Sequence, residues 1–454
     1  MADDLVLDDV VVSAPAPVKP QPPAPPAKPD APPTPAYPDD TVVLEIGGQA
    51  FTGWTDVQIV RGIELMPSFA TLQLTERLPG KPTLFAIDPG ATCRVMIGQD
   101  LVITGFVDEY SARADFRTHQ IRVVVRSSTQ DLVDCAAGVT DGEETKATLT
   151  YSAATVLQLA TDLCTPFGIT VTESDGEGEA LASVGDGIPQ FTIQLGQTVY
   201  DVLEPRVRWR QLLMLDGTDG NVVLAKVGTK KAASGFTMPG TALQAQVGFR
   251  KQERFTIYLP AAFSFDAAFE VQSASGSRGN FLQPVKDEAA FKGQPRWDKK
   301  LRYRPHFVVS DQFIQSINLA EALAKWEKAR RFGRSQKLVA TVALWRDSAG
   351  TLWSPNTLAP VNMPVLKLAK LEWLISEVAY LKGEAGTRAQ VTLMPREAFL
   401  PEPSFLTPFD PQIAQAQGEA LRTSKQVLTD NSRSVSNPGA GANGNARGGD
   451  GSGL

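Results

Sequence analysis

The chain has 454 residues, 43% of them hydrophobic, with 44 lysines and arginines against 50 aspartates and glutamates and a formal net charge of −6. That length holds about two to four domains, the composition is that of an ordinary globular protein, and the mild acidity argues against a dedicated nucleic-acid binder. Cys93, Cys135 and Cys164 lie far apart with no Cys-x-x-Cys pair, which excludes a disulfide framework or zinc site and suits three small buried hydrophobes in a reducing compartment.

No apolar stretch approaches the ~18 residues of a membrane span, and the first residues lack the basic and apolar regions of a secretory signal. The expectation is a chain folded in a cytoplasm, without stable membrane insertion. Residues 1–40 open acidic and become proline-rich between Pro15 and Pro38. That composition predicts a disordered or polyproline extension, either passive or a tether.

Order is expected to begin at Thr41. Val42, Leu44 and Ile46 alternate along a strand, Gly47-Gly48 suits a hairpin turn, and Phe51–Trp54 starts a return strand through Val57 and Ile59. Further alternating runs occupy Phe69–Thr75, Thr92–Ile97, Leu101–Val107 and Gln120–Arg126. Together they predict a first tube-like antiparallel β-barrel at 41–130. Trp54 is its expected core filler, worth roughly 4–6 kcal/mol gross on burial.

The character then changes to a smaller α+β domain at 131–240. Ser152 can cap a helix over Ala153–Cys164, with Val156, Leu159, Ala160 and Leu163 on one face. Thr165-Pro166-Phe167-Gly168 stops it, a short strand follows from Ile169, and the acidic stretch Glu173–Gly187 reads as a solvated loop. A second helix, Val199–Trp209, contains Pro205 and is expected to kink or end early there. Strands at Leu212–Leu215 and Asn221–Ala225 complete a weakly repeated helix-then-strand unit.

A second tube-like β-barrel is expected at 241–400, with an inserted α+β segment at about 260–335. Strands are read at Val247–Leu259 and Ala261–Val271, a basic extended stretch at Arg296–Ser310, and a helix at Asp311–Arg331 with basic residues at its exit. Leu338–Glu377 is a β-meander. Its corners carry Trp345 and Trp353, both read as core, and Pro355-Asn356 marks a turn. Strands follow at Leu358–Leu368, Leu371–Val378 and Arg388–Met394, and 401–454 is expected to be largely disordered.

Chemistry is scarce. His119 and His306 are the only histidines, and they fall in different expected domains. His119 reads as a surface strand position, and for His306, among Arg302, Tyr303 and Arg304, a contact role is the minor alternative to the same bland reading. There is no Gly-x-Ser-x-Gly elbow, phosphate loop, Gly-x-Gly-x-x-Gly or His-Glu-x-x-His motif, and the carboxylates of the acidic loop lack EF-hand spacing. No catalytic, cofactor-binding or metal residues are assigned. Arg302 and Arg304, within the basic cluster from Arg296 to Lys337, are candidates for a subunit interface rather than for nucleic-acid readout.

Several motifs in consistent order resemble one family. Gly47-Gly48, Phe51, Gly53-Trp54 and Arg61-Gly62-Ile63-Glu64 open the resemblance, and Thr104-Gly105-Phe106-Val107-Asp108 and Pro166-Phe167-Gly168-Ile169 continue it. Trp345-Arg346, Trp353-Ser354-Pro355-Asn356, Leu374-Ile375-Ser376 and Pro395–Phe399 end it. From Thr41 to Phe399 the chain is similar to the Mu-type baseplate hub proteins (tail protein P) of contractile-tailed phages, themselves similar to the T-even hub. The resemblance implies a mainly β subunit with α+β insertions, and a ring-forming homotrimer that joins the hexameric tail tube to the trimeric central spike. It further implies contacts with other baseplate proteins, DNA only in transit, no cofactor, a place in the virion tail and assembly in the host cytoplasm. The long proline-rich extension departs from the family pattern. Alternatives are the hub of a phage-derived injection or secretion apparatus or, in a different class, a cell-wall hydrolase or glycan-binding tail module.

Overall fold

The alternating runs form strands, and those strands pair more widely than their order in the chain suggests. The computed structural model describes residues 40–76, 87–115, 119–140, 146–147, 150–151, 154–174, 191–262, 285–286, 303–310 and 317–402. The expectations for 1–39 and 403–454, for the acidic loop beyond Ser174, for the strand beyond Ala262, and for Arg302 and the helix before Ile317 lie outside these residues.

The first region supplies β1 (Val42–Ile46), β2 (Gln49–Phe51), β3 (Asp56–Gly62), β4 (Leu65–Glu76), β5 (Thr92–Ile97), β6 (Asp100–Ala114) and β7 (His119–Ser127). Gly47 and Gly48 hold φ of 56° and 81° between β1 and β2, the left-handed pair that a two-residue hairpin turn requires. Gly105 answers a different demand. β6 crosses so close to β7 that a Cβ at Gly105 would stand 2.0 Å from the Arg126 carbonyl oxygen.

The middle region places α1 (Gln130–Asp134), α2 (Val156–Cys164) and α3 (Val199–Trp209) beside β8 (Val171–Ser174), β9 (Leu213–Asp216) and β10 (Val222–Ala225). The strands run in the order β8-β10-β9, with β8 parallel and β9 antiparallel to β10. The cap of α2 is Thr155 rather than Ser152. Its hydroxyl accepts from the Gln158 amide at 3.1 Å while the Gln158 side chain accepts from the Thr155 amide at 3.0 Å. This reciprocal box satisfies two of the helix's free donors. Thr198 and Asp201 repeat it on α3. That helix does not end early at Pro205, because Val202, Leu203 and Val207 are buried on both sides of the proline and hold the turn.

The last region contains β11 (Ala242–Phe249), β12 (Ile257–Ala262), β13 (Pro305–Ser310) and α4 (Ile317–Arg334). It continues with β14 (Gln336–Val342), β15 (Thr357–Met363), β16 (Leu368–Gly383) and β17 (Gly386–Met394). The strand expected at Val247–Leu259 is broken after Phe249. The one expected at Leu358–Leu368 stops at Met363, where Pro364 opens a single 3-10 turn. Leu371–Val378 is part of a longer strand, the 16-residue β16.

The two tube-like β-barrels expected at 41–130 and 241–400 are not closed among the described residues; their strands join in one 14-stranded sheet, whose main path reads β11-β14-β17-β16-β3-β4-β7-β6-β5-β1-β2. β15 branches from β16 and is paired in turn by Lys230–Lys231 and Phe236–Thr237. The path does not close on itself among the described residues. The two regions meet where β3 pairs antiparallel with β16, from Glu377 opposite Gly62 to Lys382 opposite Val57. One hydrophobic cluster accordingly holds Trp54, Ile59 and Leu72 together with Trp345, Trp353, Tyr380 and Leu393. A second core lies under α2 and α3, and a small third cluster of Ile63, Val227, Leu358, Leu374, Ala398 and Phe399 sits where the regions join.

Polar pins fix these joints. Asp216, 6% exposed at the end of β9, accepts from the Ser68 amide and the Ser127 hydroxyl, each at 2.8 Å, and its carbonyl accepts from the Arg61 guanidinium at 2.9 Å. Trp345 and Trp353 are both buried, as expected. Their indole N–H groups donate to the carbonyls of Arg388 (2.8 Å) and Leu344 (3.1 Å), and the Tyr380 hydroxyl donates to the Trp353 carbonyl. Asn356 adopts φ 61°. From there its side chain accepts from the Gly228 amide at 2.7 Å and donates to the Lys226 carbonyl at 2.9 Å.

Gly105→Ala forces β6 from β7 and should cost about 3 kcal/mol or more, read as a lower urea midpoint at unchanged m-value. Asn356→Ala strands a buried amide and a carbonyl in a left-handed turn, and about 2–3 kcal/mol should be lost in the same assay. If either variant unfolds at the wild-type midpoint, the corresponding contact is not structural.

Candidate functional site

The second core and the small third cluster meet at a cleft of about 630 Å³, including space open to solvent. Ile63, between β3 and β4, and Phe399, at the end of the last region, form part of its floor, and Leu212 and Met214 bring in the middle one. Charged groups on its walls come from three elements: Glu64 beside β4, Glu204 and Arg208 on α3, and Arg330 and Arg334 on α4. Arg334 pairs with Glu64 and Arg208 with Glu204. Arg330 stacks over the Trp326 ring at 5.3 Å. Burial, and then the neighbouring Arg334, hold its pKa below the ordinary arginine value. The walls are thus largely neutralised in pairs, and such exposed pairs contribute little stability each. The arrangement brings no nucleophile to a base; it holds three regions together.

The remaining candidates are occupied structurally. His306 stacks on Phe255 with ring centroids 4.3 Å apart and meets Tyr258 edge-on at 6.2 Å. Burial, reinforced by Arg331, lowers its pKa, which favours the neutral, stacked ring at pH 7. Arg304 donates to the carbonyls of Lys251 and Gln252 at 2.8 and 2.5 Å and lies over Phe255, so its guanidinium is committed within the chain. Glu173 is not in a solvated loop. Its side chain is 3% exposed and paired with Arg210 at 3.1 Å, a link between β8 and the end of α3 that the acidic run in the sequence conceals.

Cys93 and Cys164 are buried, and burial pushes both thiols up to about 12, which leaves them protonated and unreactive at neutral pH. Cys135 is only half-buried, contrary to expectation, because it caps the short α1 rather than entering a core. Among the described residues no group of His, Cys, Asp and Glu could hold a metal ion, and no helix is long and apolar enough to cross a membrane. The polar contacts missed in the sequence are the Asp216 pin and a bridge from Arg346 to the Asp100 carboxylate and the Ile97 carbonyl. Both join residues 89 or more positions apart, and only the turn glycines Gly98 and Gly217 beside them gave a local signal.

Three family models match in chain order. A model described as Mu phage baseplate assembly protein GpP-like, N-terminal, matches residues 41–127. One for the second domain of gp44-like baseplate hub proteins matches 129–226, and one for the fourth domain of Mu phage GpP matches 316–402. The chain is 30% identical over 365 residues to baseplate hub protein gp44 of Escherichia phage Mu, covering 80% of this chain and 89% of that protein. The 43 kDa tail protein of prophage MuSo2 from Shewanella oneidensis has a similar structure, with TM-score 0.64 and 27% identity over 80% of this chain and all of that one. A tail protein from Neisseria meningitidis MC58 shares the fold at TM-score 0.60 and 17% identity, over 80% of this chain and 98% of that one. The chain therefore belongs to the Mu-type baseplate hub family, structural proteins of the phage tail rather than enzymes.

Proposed function

We propose that this hub is a ring-forming homotrimer that joins the hexameric tail tube to the trimeric central spike, contacts other baseplate proteins and leaves a lumen through which DNA passes. The observation that carries this reading is the similarity to the Mu hub over 365 residues, nearly the whole of that protein. The sheet shared by the first and last regions supports it. Two β units fused edge to edge turn as one body, and three such subunits present six units to a sixfold tube while keeping a threefold face for a spike. The division at about 130, 240 and 400 follows the same plan, with the middle α+β region and the inserted segment as lateral additions. A net charge of −6 suits a conduit for DNA, since a strongly basic wall would retain phosphate. Arg302 and Arg304 remain interface candidates, Arg304 through the half-exposed part of its side chain. Assembly takes place in the host cytoplasm.

The test is native mass measurement of the full chain, alone and mixed with a trimeric β-helical spike protein. Three copies alone, and three plus three in the mixture, are expected. A chain that stays monomeric at high concentration with spike present would sink the proposal.

A further inference from the structure

We infer that the cleft between α3 and α4 is the docking site of a segment of this same chain, Phe405–Asp410. The segment lies beyond residue 402, where the match to the family's fourth domain ends. The reading does not depend on the number of subunits.

The exit of the chain fixes the starting point. Leu400 and Pro401 are part of the cleft lining. The Leu400 carbonyl accepts from the Trp326 indole at 2.6 Å, which holds the exit against α4, and the same ring carries the Arg330 guanidinium. The chain thus leaves the described residues from the wall of the cleft itself. Measured from Pro401, Phe405 lies within about 12 Å and Phe409 within about 25 Å of extended chain. A segment tethered so closely competes at an effective concentration on the order of millimolar.

Composition singles out these six residues. Phe405 and Phe409 are the only aromatic residues after Phe399, and beyond Asp410 the sequence is dominated by glutamine, alanine, serine, asparagine and glycine. The cleft floor matches them, since Ile63, Leu212, Met214 and Phe399 are apolar. Pro403, Pro408 and Pro411 restrict the free segment, so docking it orders fewer torsions than an ordinary peptide would lose.

Charge points the same way. The cleft lining holds Arg208, Arg330 and Arg334 against Glu64 and Glu204. Arg208 and Arg334 have glutamate partners, whereas Arg330 has the Trp326 ring. From Glu402 to Leu421 the tail carries Glu402, Asp410 and Glu419 and neither lysine nor arginine. With Phe405 and Phe409 on the apolar floor, Asp410 is the carboxylate that meets Arg330, and such a charge-assisted pair fixes the direction of the docked segment.

Two experiments on the full chain test this. In the first, Glu204→Cys and Thr407→Cys are combined in a Cys135→Ser background and treated with a short bis-maleimide, in a mixture of isotope-labelled and unlabelled chains. Glu204 lies on the cleft wall and Thr407 between the two aromatic anchors, and the Cys93 and Cys164 thiols are buried and protonated. Links within one chain are expected, and Phe405→Ala/Phe409→Ala should slow their formation about 10-fold or more. Equal rates with and without the phenylalanines would show a loose tether and overturn the inference. Links chiefly between labelled and unlabelled chains would give the cleft to the tail of a neighbouring copy and overturn it as well. The second experiment leaves the cysteines untouched. Chymotrypsin cleavage after Phe405, Leu406 and Phe409 should be about 10-fold faster in Arg330→Glu and about 3-fold faster in Arg330→Gln than in the wild type, at an unchanged thermal melt. A wild type cut as fast as Arg330→Gln contradicts the docking. Both experiments read a single chain, so their failure would leave the trimer standing, and a failed trimer would leave this docking untouched.

Discussion

The structure depends on one strand pairing. β3 lies early in the chain and β16 near its end, and their antiparallel register from Gly62–Glu377 to Val57–Lys382 joins the two β-rich regions in one sheet. The price of closing so long a loop is modest, because loop entropy grows only with the logarithm of length. What holds the pairing is packing on its face: Val57, Ile59, Val378 and Tyr380 are buried there in the shared core. The middle region then has a fixed platform. Asp216 ties β9 to the first region through Ser68 and Ser127, and the cluster around Ile63, Leu374 and Phe399 closes the joint from the other side.

This organisation suits a hub. A protein that transmits force or symmetry needs rigid joints between its parts, and here the joints combine strand pairing, apolar burial and short polar pins. His306, the buried thiols and most of the cleft charges serve packing. His306 is a stacking ring, the Cys93 and Cys164 thiols are small apolar groups held protonated by burial, and of the cleft arginines Arg334 closes onto Glu64 beside β4 and Arg208 onto Glu204 of its own helix.

Local structure was readable wherever one short-range pattern decides it. Alternation marked β1, β3, β5 and β7, Gly47-Gly48 marked its hairpin, and the apolar spacing of α2 and α3 marked two helices. That the two β-rich regions share one sheet was not legible, because a strand's outer partner leaves little local trace. One trace exists: the run Trp373–Tyr380 is almost continuously apolar, as a strand covered on both faces would be. The Ser152 cap failed for a simpler reason. Thr155 lies three residues before Gln158 and so forms the full box, whereas Ser152 has Thr155 at that position. The pins at Asp216, Asn356 and Glu173 were not legible, since each reaches a distant backbone or side-chain group that the sequence does not place.

The most direct test of the account is hydrogen exchange on the full chain, followed by segment. If β3 and β16 join the two regions into one body, amides of Val57–Val60 and Val378–Leu381 should be protected to the level of global unfolding and lose protection together on adding urea. Fast exchange in β3 while β16 and β17 stay protected would show two regions that fold apart, and would contradict the single shared sheet.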